Sequence, residues 1–263
     1  MFDTLNFAVN NMSTIALILY VLFFFTALMV RYSSGDYYDS LPDEEPDIAS
    51  AREKDEKLAF IVGGFVDQPE NAMKHIELPG YNMIAIANDV FGFRISQYRD
   101  IIDKYSTDGD IAVGISVGAK AVVESDIKKQ ILINPCTDPL ALYDKHYWPA
   151  KIFAPVLELI SWLLGWLAFI PFIPVNGNHF SLAFFADQLW AIGYGWPIPS
   201  TEADIGIVLS TEDEFIDNRV IMEDFNEDTP DNITVLEIHT EHATIGRKED
   251  APKYQAAINY LLK

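Results

Sequence analysis

Three features of the 263-residue chain predict an α/β domain on a mostly parallel sheet with helices on both faces. From Leu58 onward, short apolar runs alternate with segments of helical period, the pattern of successive strand–helix–strand crossovers. The run from Ile111 to Val113 passes straight into Gly114-Ile115-Ser116-Val117-Gly118 and then into Ala119, Lys120, Ala121 and Val122, giving a strand, a glycine-framed turn around a serine, and a helix. Between residues 138 and 199 the rhythm gives way to a long, very apolar insertion.

The stretch that opens at Met12 and closes at Val30 (MSTIALILYVLFFFTALMV) carries no charge. At 1.5 Å per residue its 19 residues match a bilayer's hydrocarbon core. It is apolar all round rather than striped. The preceding residues 1–11 hold Asp3 and no Lys or Arg, unlike a cleaved signal peptide. A single membrane anchor over residues 1–31 is expected. Arg31, on its C-terminal side, favours a cytoplasmic domain without fixing the orientation. Residues 32–57 are charged, carry two prolines and few large aliphatics, and read as an acidic tether in which Asp43-Glu44-Glu45 is solvated.

The domain itself is expected from 58 to 263. Leu58 to Val62 is a buried strand ending in Gly63-Gly64. A helix from Pro69 to Leu78 and a strand from Asn82 to Ala87 follow. From Phe93 to Tyr105, Phe93, Ile95, Tyr98, Ile101, Ile102 and Tyr105 recur at helical spacing and mark a core face. Asp108-Gly109 turns the chain into the serine-bearing strand. At the turn that follows, a Cβ at Gly114 or Gly118 would strike the neighbouring helix or strand. The helix beyond aims its first N–H groups at negative charge forming beside Ser116. Gln130 to Ile133 is a strand closed by Asn134-Pro135. Asp204 to Leu209 is a strand followed by Ser210-Thr211-Glu212-Asp213-Glu214. Ile233 to Ile238 is the last strand and delivers His239-Thr240-Glu241-His242. Tyr254 to Leu262 closes the chain as an amphipathic helix.

The composition excludes some partners. With 39 acidic against 18 basic residues the formal charge is −21, which repels nucleic acid and anionic headgroups, so no nucleic-acid partner is expected. Cys136 is the only cysteine, so no intrachain disulfide forms. No C-x-x-C, H-E-x-x-H or clustered His/Cys pattern calls for a metal, and no cofactor is expected.

The G-x-S-x-G turn, an acid after a later strand and a histidine after the last one stand in an order that resembles the α/β-hydrolase family, over Leu58 to Lys263 with the insertion unmatched. The resemblance implies a serine hydrolase of carboxylesterase or lipase type, working through an acyl-enzyme. It assigns Ser116 as nucleophile, Asp213 as acid and His242 as base. Glu212, Glu214 and Asp217 crowd the acid's station, Ser210 stands where the family often has glycine, and His239 competes with His242. The resemblance also assigns the oxyanion hole to the backbone N–H groups of Phe65 and Val117, with Gly63 where the family usually has histidine. A thioesterase or peptidase would use the same triad. A catalytically inactive scaffold binding a membrane partner is the other class left open.

The resemblance places a lid over the active site at about 138–200. Between Ile152 and Val175 (IFAPVLELISWLLGWLAFIPFIPV) the only charge is Glu158. This segment is expected to be a lid, lining a pocket for a small acyl or lipid-like substrate or dipping into a membrane surface. A second membrane span is the alternative.

Overall fold

The computed structural model describes residues 46–54, 56–64, 69–86, 95–137, 144–175, 178–196, 198, 202–226 and 230–263. The expected anchor at 12–30 and the linker as far as residue 45 lie outside them.

Six strands form one sheet: β1 (Lys57–Val62), β2 (Tyr81–Ile86), β3 (Ile111–Ile115), β4 (Lys129–Ile133), β7 (Asp204–Ser210) and β8 (Ile233–Ile238). Their order is β2-β1-β3-β4-β7-β8 and every pairing is parallel. A short antiparallel hairpin, β5 (Pro171–Val175) and β6 (Asn178–Ser181), stands apart from it.

The central strands are largely apolar because helices cover both faces. Leu58, Phe60 and Val62 of β1 point to one side with Ala112, Leu132, Ile205, Ile207 and Leu209. There they meet α1 (Pro46–Glu53), α3 (Ile95–Tyr105), α4 (Ala119–Val123) and α7 (Asn218–Asn226) through Ile48, Tyr98, Ile102, Val122 and Ile221. Ala59 and Ile61 point to the other side with Val113, Ile115, Ile131, Ile133 and Val208. Ala72 of α2 (Pro69–Met73), Ile76 and Leu78 beyond it, and Tyr254 and Ile258 of α8 (Ala251–Leu261) cover that face.

Chain order sets the site. From β1 the chain moves outward to β2, then returns past β1 to β3 and runs the opposite way through β4, β7 and β8. The sheet therefore switches direction between β1 and β3, and the crevice outside the C-terminal ends of those two strands is where such folds bind ligands.

Two expectations change. The stretch expected to be a linker through residue 57 is part of the domain from Pro46. Ile48 and Ala51 of α1 are buried, and Arg52 clamps Asp110 at 3.0 and 2.5 Å. The second-span alternative for the 152–175 segment also fails. Helix α5 (Asp144–Leu164) stops at Gly165, whose φ of 57° ends it. A 3₁₀ turn (Gly165–Phe169) and β5 follow. Among the described residues no helix is long and apolar enough to cross a membrane.

The Arg52 clamp makes the fold acid-sensitive. Burial pushes the Asp110 carboxyl up, but hydrogen bonds from the Arg52 guanidinium and from the Leu58 and Thr107 N–H groups outweigh it and hold the group below the usual carboxylate range. A lowered folded value adds stability that is fully present above the unfolded value near 4 and is lost as pH falls through the folded one. Arg52→Ala removes the strongest opposing contact, so acid unfolding followed by circular dichroism should begin at higher pH than in the parent.

Candidate active site

The turn after β3 is forced by its glycines. Ser116 sits at φ 52°, in the left-handed region that non-glycine residues rarely occupy. The chain then winds through a 3₁₀ turn (Ser116–Gly118) into α4. A Cβ on Gly114 would lie 2.4 Å from the Cα of Ala119, and one on Gly118 would lie 2.1 Å from the Gly63 carbonyl oxygen. Both collisions are with backbone, so neither relaxes by a rotamer change. Gly118→Ala should therefore lower unfolding stability by about 3 kcal/mol or more in urea titration, as overpacking against a fixed backbone does.

The reversal brings Ser116 against the end of β1, where a Cβ on Gly64 would come 3.3 Å from that of Ser116. Val117 is buried, and its N–H is among the first of the helical turn, which have no intrahelical partner. Gly63 is half-buried beside it. Phe65 lies outside the described residues.

The three side chains meet at the C-terminal edge of the sheet. His242 Nε2 is 3.0 Å from Ser116 Oγ, and His242 Nδ1 is 2.6 Å from Asp213 Oδ2. The other carboxylate oxygen of Asp213 accepts from the N–H groups of Phe215 at 2.8 Å and Ile216 at 2.9 Å. The Asp213 side chain is 1 % exposed and that of His242 14 %. The Phe215 ring lies 5.2 Å from the imidazole, centroid to centroid. With Asp213 accepting from Nδ1–H, Nε2 is left to accept from the serine hydroxyl.

The competing candidates go elsewhere. His239 is 73 % exposed and touches Thr211 and Glu212 instead of Ser116. Asp217 pairs with Arg219, whose hydrogen bonds hold its carboxyl below the usual range. Glu214 is exposed. Among the described residues no three His, Cys, Asp or Glu side chains converge as a metal site.

Beneath the site lies a buried polar network that sequence reasoning did not assemble. Asn134, at the end of β4, donates to Ser210 Oγ at 2.7 Å and accepts from the Ser210 N–H at 2.9 Å. Ser210 Oγ also lies 2.8 Å from Thr240 Oγ1 and 3.0 Å from the Tyr254 hydroxyl. The Glu212 N–H donates to the Thr240 carbonyl. The acid's loop and the histidine's loop are thus tied together below His242. Ser210, noted in the sequence as the substitute for a glycine, was the one local signal. Among the described residues the non-glycine positions with positive φ are Ser116, Asn134 and Ala243, one after β3, one after β4 and one beside His242. Backbone strain is concentrated around this one site.

The insertion covers it. Helix α6 (Leu182–Tyr194) begins on the Ser181 hydroxyl, which accepts from the Phe184 N–H. Its Gln188 amide approaches the Gly64 carbonyl at 3.5 Å, and Asp187 accepts from the Ile95 N–H at 2.7 Å. Helix α5 packs against α6.

Comparison with solved structures gives the architecture a name. A chain named for a non-heme bromoperoxidase, from Mycobacterium tuberculosis, superposes with a TM-score of 0.55 over 78 % of this chain and 91 % of its own, at 14 % identity. An esterase from Exiguobacterium antarcticum gives 0.54 over 79 % and 92 %, at 12 % identity. The fold is that of the α/β-hydrolases. A mutant epoxide hydrolase from Bacillus megaterium shares this α/β-hydrolase fold, with 0.51 over 79 % and 94 % at 13 % identity. No protein-family model matches the sequence, and no curated protein matches it.

Proposed function

We propose that the chain is a serine hydrolase acting on a carboxylic ester, of carboxylesterase or lipase type. One observation carries this reading: the continuous path from Ser116 Oγ through His242 to Asp213, at 3.0 and 2.6 Å, on a strained strand-to-helix turn. In this reading Ser116 attacks the carbonyl carbon while His242 Nε2 takes its proton. Asp213 holds the imidazole in the required tautomer and stabilises the imidazolium. The oxyanion is held by the Val117 N–H and by the Phe65 N–H as second donor, an arrangement that removes several kcal/mol of barrier. His242 returns the proton to the leaving alkoxide. Water then attacks the acyl-serine with His242 again as base, releasing the acid and restoring the hydroxyl.

The esterase among the structural neighbours is in keeping with this chemistry. The apolar lid points to an acyl or lipid-like substrate. A fluorophosphonate probe tests the reading directly. The expected result is a single covalent adduct on Ser116, located by peptide mass spectrometry and abolished by prior heat denaturation. Folded protein that takes no label would leave a non-catalytic domain of this fold.

A further inference from the structure

The helix pair of the lid leaves a large apolar face uncovered. On α5 the fully buried positions among the described residues are small: Ala150, Ala154 and Ser161 are 3 %, 0 % and 3 % exposed. Facing them is Gly193 of α6, so close that a Cβ there would meet the Lys151 backbone at 3.0 Å. Leu157 and Leu164 are half-buried against Leu182 and Ala183, but six large apolar side chains of the same helix, Ile152, Phe153, Val156, Leu159, Ile160 and Leu163, point outward and are 39 to 57 % exposed. Their spacing traces one continuous stripe along the helix. Trp190 and Tyr194, stacked at 4.4 Å and also exposed, extend the apolar surface onto α6. In water, helices bury their large side chains. Small residues between helices with large aliphatics outside is the arrangement of helices surrounded by lipid, where small side chains let the backbones approach.

Geometry and charge narrow the occupant. The stripe is about 17 Å long at 1.5 Å per residue, too short to span a bilayer, so it fits a helix lying in the interface. Glu158 is the only charged residue from 152 to 163, whereas the whole chain carries −21. Anionic lipid would repel the domain and an uncharged or zwitterionic surface would not. Outside the described residues, the uncharged stretch 12–30 is followed by 15 residues, 31–45, before α1. α1 sits at the N-terminal end of the sheet, opposite Ser116, where Arg52 reaches Asp110. Fifteen residues reach at most about 50 Å, enough to pass a domain about 40 Å across and turn its lid toward the bilayer that 12–30 would enter.

We propose that the outward face of α5, with Trp190 and Tyr194, docks on the surface of a zwitterionic or uncharged lipid bilayer, so that the lid over Ser116 is the part of the domain that meets lipid. The docking does not depend on the serine chemistry. The test uses the full chain carrying Leu159→Cys labelled with the fluorophore NBD, and Lys128→Cys, exposed at the other end of the sheet, as control; Cys136 is buried and stays unlabelled. With phosphatidylcholine vesicles the label at 159 should shift to the blue, and doxyl-labelled lipid should quench it by about half, while the label at 128 is unaffected. Ser116→Ala should dock unchanged, so loss of catalysis and loss of docking are read separately. Replacing half the lipid with phosphatidylglycerol should weaken quenching at low salt, and added salt should restore it. A label at 159 that stays in water beside vesicles overturns the proposal, as does equal quenching at 128. So does a label already shielded in lipid-free buffer, which would mean that residues 12–30 or a second copy of the chain cover the face.

Discussion

Ser116→Ala should abolish hydrolysis of p-nitrophenyl acetate and butyrate, lowering kcat by about 10⁵-fold or more, with the fold intact. The hydroxyl that is lost makes the 3.0 Å contact to His242. Alanine keeps the strain of φ 52°, because the penalty comes from Cβ and not from the hydroxyl. Ser116→Gly separates the two effects. It should be as inactive as the alanine variant, yet more stable than that variant by about 1 kcal/mol in urea unfolding, because glycine occupies the left-handed region freely. Two inactive variants ordered this way in stability would show that the turn stores strain to present the nucleophile. An alanine variant with undiminished turnover would remove Ser116 from the chemistry.

The sheet was legible because its central strands are buried on both faces. Parallel strands such as β3, β4 and β7 read as unbroken apolar runs between turn residues, and their ends moved by only one or two positions. The serine turn was legible because its requirement for glycine is local. What escaped the sequence depends on distant partners. Helix α1 looks like linker because its hold on the domain includes Arg52 meeting a carboxylate 58 positions away, with Ile48 and Ala51 adding apolar burial. Helix α7 hides in an acidic stretch where Ile221 and its neighbours Met222 and Phe225 supply an apolar face. A span stayed open beside the expected lid because hydropathy records that 152–175 is apolar and not that α5 ends at Gly165. Four acids crowd the loop after β7, and burial with two backbone donors, invisible in the sequence, separates Asp213 from the rest. The Asn134–Ser210–Thr240–Tyr254 network joins three strand ends and a helix, so no window along the chain contains it.

The same two backbone donors decide what Asp213→Asn should do. The Phe215 and Ile216 N–H groups both point at Oδ1, a position that accepts an oxygen and rejects an NH₂. The asparagine carbonyl oxygen is therefore held there, and its amide nitrogen is presented to His242 in place of Oδ2. An NH₂ can only donate, so Nδ1 must become the acceptor and the ring proton moves to Nε2. A protonated Nε2 cannot take the proton of Ser116. The variant should fold normally, bind ester with a nearly unchanged KM, since residue 213 is buried behind the imidazole, and lose about 10⁴-fold in kcat. Asp213→Ala leaves the ring free to adopt either tautomer, so it should retain more activity than the asparagine variant although it removes more of the side chain. Steady-state kinetics on a short p-nitrophenyl ester distinguishes the two. If asparagine proves the better replacement, residue 213 does not set the tautomer and some other group orients His242.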